Sequence, residues 1–155
     1  KKSAKLLPSL SLKGKPRTTV KTKAKAAKPA SKGLQVAVRA SAPNYIPKYQ
    51  DEQSATADVF AKVVGDPMRL GPRGSALVDT GVVLDVPKGY RAVVELDPDL
   101  ACQGLIADGT SFVGKADIQF RVRNVGRVIV PIMNLSRVGQ LRFEQVFRAD
   151  FKTEG

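Results

Sequence analysis

Residues 78–96 read Val-Asp-Thr-Gly-Val-Val-Leu-Asp-Val-Pro-Lys-Gly-Tyr-Arg-Ala-Val-Val-Glu-Leu, and they restrict the fold more than any other stretch of the chain. Val82, Leu84 and Val86 fall on one side of an extended backbone, and Ala92, Val94 and Leu96 do the same after a break. That period of two is the pattern of half-buried strands. The break is Pro87-Lys88-Gly89. Proline fixes φ and cannot donate to a ladder, and glycine reaches positive φ without strain. The stretch therefore predicts two strands joined at a tight turn, a hairpin.

The flanking sequence repeats this pattern. Leu34, Val36, Val38 and Ala40 alternate with Gln35, Ala37 and Arg39, and Ala116, Ile118, Phe120 and Val122 alternate with Asp117, Gln119, Arg121 and Arg123. Val128–Ile132 and Gln140–Phe143 add two more strands. Between them lie Pro43–Pro47, Gly65-Asp66-Pro67 and Gly71–Gly74 as turn clusters, and Asp97–Ala101 as a loop or short turn. Only Asp51–Lys62 has room for a short helix, and no window keeps helical periodicity over three turns. Many short strands with Gly/Pro turns predict an all-β fold, a β-barrel or jelly-roll-type sandwich. The expected division is a Lys-rich extended arm, 1–33, and a β-domain, 34–155.

Charge sharpens that division. The formal net charge is +12, from 26 Lys+Arg against 14 Asp+Glu. Eleven of the cations, Lys1, Lys2, Lys5, Lys13, Lys15, Arg17, Lys21, Lys23, Lys25, Lys28 and Lys32, stand in the arm, which has no acidic residue. The remainder is close to neutral, so the basicity is a property of the arm and not of the fold. The arm's one apolar handle is Leu6, Leu7, Leu10 and Leu12. Lysines neutralise phosphates as point charges, which would give salt-dependent, sequence-blind affinity for nucleic acid. With no aromatic before Tyr45 to stack on a base, the leucines instead suit a segment lying along another protein.

A single cysteine, Cys102, and the absence of histidine exclude an internal disulfide, a multi-cysteine metal site and zinc. Cys102, between Leu100 and Leu105, is expected in the core. No apolar run approaches the roughly 18 residues needed to span a bilayer, so no membrane partner is expected. The opening, without an apolar h-region, is not expected to be a secretory signal, and its first residue, Lys1, points to a trimmed start.

Four phrases, in order from about Val36 to Val146, resemble the trimeric dUTP pyrophosphatase (dUTPase) family and its dCTP deaminase relatives. Ser54-Ala55-Thr56-Ala57-Asp58-Val59 is similar to the family's Ser-Ala-Gly-x-Asp-Leu, with Thr56 in place of glycine. Thr80-Gly81 followed by Pro87-x-Gly89-Tyr90 resembles its central hairpin. Asn124-Val125-Gly126 follows a strand as in the family, and Arg137-Val138-Gly139-Gln140-Leu141 resembles Arg-Ile-Ala-Gln-Leu. The resemblance implies a β-barrel, a homotrimer, and a site for a magnesium–triphosphate in which Asp58, Asp108, Phe112, Arg137 and Gln140 would be the surviving parts.

Other family positions are altered. Where the family's Arg-Ser-Gly grips the phosphates, this chain has Asp97-Pro98-Asp99, read as a solvated turn. The family's Asp-x-x-Tyr-x-Gly supplies the carboxylate that orients the attacking water and the aromatic under the sugar. If Phe112 and Gly114 are laid on its Tyr and Gly, Gly109 falls on the catalytic Asp. Counting back from Asn124 places Ser111 there, and Asp108 fits only with a register slip. The glycine-rich C-terminal lid has no counterpart in Phe147–Gly155. Arg137 and Gln140 can equally be read as residues bonding across a subunit interface.

Together these readings predict a dUTPase-fold protein without enzymatic activity, cofactor or metal. Its expected role is a virion, probably phage, capsid-stabilising trimer whose arm docks on neighbouring subunits; outside a virion it would be cytoplasmic. Two alternatives stand beside it. One is a divergent dUTPase hydrolysing dUTP to dUMP and pyrophosphate, and the other a coat-type protein binding nucleic acid through its basic arm.

Overall fold

The computed structural model describes residues 33–155; the arm readings, Lys1–Lys32, lie outside the described residues. Eleven strands and one short helix make up this unit: β1 (Ala37–Ala40), β2 (Lys48–Tyr49), β3 (Ala57–Phe60), β4 (Met68–Leu70), β5 (Ser75–Asp85), β6 (Tyr90–Leu96), α1 (Pro98–Cys102), β7 (Leu105–Asp108), β8 (Ser111–Phe112), β9 (Lys115–Asn124), β10 (Val130–Ile132) and β11 (Arg137–Gln145). A four-stranded sheet runs β1-β5-β9-β7 and a five-stranded sheet runs β2-β3-β11-β6-β8, with β10-β4 as a separate pair. Every ladder is antiparallel.

The predicted hairpin is not one. Both strands form, but β5 joins the four-stranded sheet and β6 the five-stranded sheet, so Pro87–Gly89 carries the chain across the core. Tyr90 N–H donates to the Pro87 carbonyl at 3.1 Å, and Gly89 sits at φ 87°. The alternation stays the same in either arrangement, because each strand still turns one face inward: Val78, Val82, Leu84 and Val86 on one side and Ala92 and Val94 on the other are all buried. Periodicity fixes which face is buried and leaves open which neighbour pairs with it.

A β-bulge shapes β5. Its register with β9 shifts between Asp79 and Val83, and Gly81 takes φ 65°. The carbonyls this frees are satisfied elsewhere: Ser41 N–H donates to Gly81 O at 2.8 Å and Lys62 N–H to Asp79 O at 2.7 Å. The buried Thr80 hydroxyl donates to Ile118 O at 2.7 Å. Bulges bend a strand in this way, which lets β5 serve β1 at one end and β9 at the other.

Phe120, Ile118, Val122 and Leu105 from one sheet meet Val59, Val94, Val138 and Leu141 from the other, and Leu70, Val130 and Ile132 of the small pair join the same core. Three local readings are corrected. Asp51–Lys62 forms no helix, because its β-branched and apolar end is drawn into the five-stranded sheet as β3. Asp97–Ala101 is helical in large part: Pro98 occupies the first turn, and the Asp97 carboxylate accepts from Asp99 N–H as its cap. Cys102, at the end of that one-and-a-half-turn helix, is exposed. In β1 and its approach, Leu34 and Val38 also remain exposed, since β1 is an edge strand.

Gly139 lies where β11 runs between β3 and β6. A Cβ there would stand 2.5 Å from the Glu95 carbonyl oxygen and 2.7 Å from Val94 Cγ1. Backbone cannot yield as a flexible side chain can, so Gly139→Ala should cost about 2 kcal/mol of stability. Urea unfolding measures this; a midpoint equal to that of the parent chain would mean that the β6–β11 spacing is looser than described.

Candidate functional site

β3 and β11 pair with Asp58 opposite Gln140, and the bulge between Arg137 and Gly139 turns the Arg137 side chain toward the start of α1. There its Nε donates to Asp97 Oδ2 at 2.5 Å. Asp58 Oδ2 lies 3.9 Å from Nη1 and Asp99 Oδ2 4.0 Å from Nη2. The hydrogen bond to Asp97, the charge of Asp97, and more weakly those of Asp58 and Asp99 raise the Arg137 pKa further, so it stays cationic. Asp97 is buried at 2 % exposure, while the Asp99 side chain stands 85 % in solvent. Asp58 also accepts from Gln50 Nε2 at 3.0 Å.

One guanidinium is thus gathered with three carboxylates from three elements. The solvated-turn reading of Asp97 and Asp99 fails for Asp97, which both caps α1 and holds Arg137. The sequence signal for this was the reversal of charge where Arg-Ser-Gly was expected, since an acid there can receive the arginine that β11 supplies. Arg137 bonds within its own chain.

Of the five predicted site residues, the structure brings Asp58, Arg137 and Gln140 together. Phe112 is on β8, opposite Ala92 of β6, which in turn faces Phe143 of β11. Asp108 is on β7 in the other sheet, where its carboxylate accepts from Arg123 Nε at 2.9 Å. Asn124 has a structural part. Nearly inaccessible at 1 %, it donates through Nδ2 to Leu70 O at 2.8 Å and Val128 O at 2.7 Å, and its Oδ1 accepts from Gly126 N–H at 2.9 Å.

Among the described residues, no group of three or more His, Cys, Asp or Glu side chains is arranged to hold a metal ion. A magnesium cage made by protein alone therefore does not fit. Magnesium entering with a nucleotide's phosphates needs only one or two carboxylates, and Asp58 and Asp99 beside Arg137 suit that role.

The same architecture occurs in solved structures. A mutant dUTPase from phage phi11 of S. aureus, whose structure reveals the coordination of a structural Mg(II) ion, matches with a TM-score of 0.68 at 14% identity, over 77% of this chain and 96% of that one. Native EIAV dUTPase matches at 0.65 with 17% identity, over 78% and 97%. The chain has the dUTPase fold.

Sequence similarity points the same way. The deoxyuridine 5'-triphosphate nucleotidohydrolase of Roseobacter denitrificans is 28% identical over 116 residues, 69% of this chain and 74% of the relative. That of Treponema pallidum is 27% identical over 114 residues, 70% and 78%. The Agrobacterium fabrum enzyme reaches 34% over 93 residues, 59% and 56%. No protein-family model matches. The expectation of a protein without enzymatic activity is corrected by these findings, because the curated relatives of this dUTPase-like chain are enzymes. That expectation rested on a few motif positions, whereas the similarity extends over most of the β-domain.

Proposed function

We propose that the chain is a divergent dUTPase-type nucleotidohydrolase that works as a homotrimer and releases pyrophosphate from dUTP. The observation that carries this reading is the similarity to deoxyuridine 5'-triphosphate nucleotidohydrolases over about 70% of the chain. In this reading Arg137 is the cation offered to the phosphates, with Asp58 and Asp99 available to a magnesium ion that arrives with them, which when bound would offset phosphate charge. Asp108 is the general base that orients water, and Phe112 packs against the sugar. Asp108 belongs to the four-stranded sheet and Arg137 to the five-stranded sheet, so a homotrimer offers the further possibility that one copy's Asp108 serves another copy's Arg137.

The test compares the full chain with Asp108→Asn in steady-state pyrophosphate release from dUTP with magnesium. A positioned base contributes a hundredfold or more, so kcat should fall by about 100-fold. The melting temperature should hardly change, because the exposed Asp108–Arg123 pair contributes little. Equal turnover by the two proteins would remove Asp108 from the mechanism.

One observation favours a second reading. Acidic Asp97 and Asp99 stand where the family resemblance places a phosphate grip, and the sequence carries a Lys-rich arm with four leucines. In this reading the trimer is a building block of a virion, with the arm docking on a neighbouring capsid subunit or on nucleic acid. Retention of the chain on purified particles, lost on deletion of residues 1–33, would support it.

A further inference from the structure

The near-neutral β-domain separates its charges. Residues 67–78 and 118–143 contain no Asp or Glu. The hydrogen bonds of Asn124 tie these two segments together: its N–H donates to Gly74 O, and Arg73 N–H donates to its carbonyl, each at 2.8 Å. Val125, Val128 and Ile129 project from this end with 63 %, 60 % and 60 % of their surface exposed. Around them stand the exposed Arg69, Arg73 and Arg127, which make no ion pair among the described residues. This is an aliphatic knob with a basic rim.

A complementary surface lies on other elements. A cavity of 540 Å³, lined by Leu34, Val36, Ile46, Tyr49 and Phe143 among others, opens beside β1 and β2. It shares Tyr49 and Ala55 with a neighbouring hollow that is bordered by the exposed Asp51 and Glu52. Residues 46–58 carry three carboxylates against one lysine. This is an apolar groove with an acidic rim.

We infer that the occupant of the groove is a second copy of this chain: the knob formed by Val125, Val128 and Ile129 seats in the groove of the next subunit, with Arg73 and Arg127 facing its Asp51 and Glu52. A contact between two different surfaces of one chain is head-to-tail, and repeated around an axis it closes a ring. That the ring holds three copies rests on the trimeric part of the proposed function.

The experiment is sedimentation of the full chain, the charge-reversed Arg73→Glu/Arg127→Glu variant, and the same variant carrying Asp51→Lys/Glu52→Lys. All four sites are exposed, so a folded protein is expected in each case, verified by far-ultraviolet circular dichroism. The wild type should sediment as a trimer, the first variant as a single chain, and the fourfold variant as a trimer again. A trimer that persists unchanged in the first variant would overturn this interface and leave the proposed enzyme intact. A wild type that sediments as a single chain would overturn the ring itself, while pyrophosphate release would still report separately on the chemistry.

Discussion

Asn124→Ala should lower the stability of the folded β-domain by about 4 kcal/mol, the largest loss expected of any single change considered. Its side chain makes three hydrogen bonds, to Leu70 O, Val128 O and Gly126 N–H, in a place that is 1 % exposed. Each hydrogen bond contributes about 1 kcal/mol net, and each buried group left without a partner costs about 1–3 kcal/mol. Gly104 packs closely on Gly126, so the loop has little room to close over the gap: a Cβ on Gly104 would be 2.8 Å from Gly126 Cα. Asn124→Asp should be at least as damaging, because it turns two donated bonds into oxygen facing oxygen. Chemical denaturation measures the loss; a change below about 1 kcal/mol would show that water replaces the amide.

Asp97→Ala should cost about 3 kcal/mol. Two contributions add up here: the charge-assisted bond from Arg137, in the range of about 1.5–3 kcal/mol, and the cap on α1, near 1 kcal/mol. Arg137 is one-third exposed and keeps Asp58 and Asp99 within 4.0 Å, which holds the loss below that of a fully buried pair. Asp97→Asn separates the two contributions, since its amide oxygen can still accept from Asp99 N–H; about half of the loss should return. The same variant releases Arg137 from its strongest partner, so its affinity for dUTP should rise. Unfolding curves with dUTP titration of the three proteins check both points. Equal stability of Asp97→Ala and the parent would mean that the ion pair is solvated.

The β-domain was legible in the sequence wherever a strand buries one face. The alternation in β9 gave Ile118, Phe120 and Val122 as core, and all three are buried. The connection of β5 to β6 was misread, because an inward-facing pattern is identical whether a strand turns back on itself or crosses to the opposite sheet. Helix α1 was hidden by its length: five residues carry no period, and only the Asp97-Pro98 start marks it. Cys102 was assigned by its neighbours Leu100 and Leu105, but a helical turn separates the faces that a linear reading merges.

The site divides in the same way. Asp58, Arg137 and Gln140 came together because two adjacent strands of one sheet carry them. Asp108 and Phe112 were placed by motif spacing alone, and an uncertain register in β7–β8 left that spacing undefined. Asp97 was read as repulsive to phosphate, which considers its charge in isolation. Its partner, 40 residues away, appears only once β11 is in place beside β6.

The most direct test of the central claim is to follow dUTP by phosphorus NMR with the purified full chain and magnesium. The account predicts that the triphosphate resonances give way to those of dUMP and pyrophosphate in equal amounts. A triphosphate that stays unchanged in the presence of folded chain would contradict it.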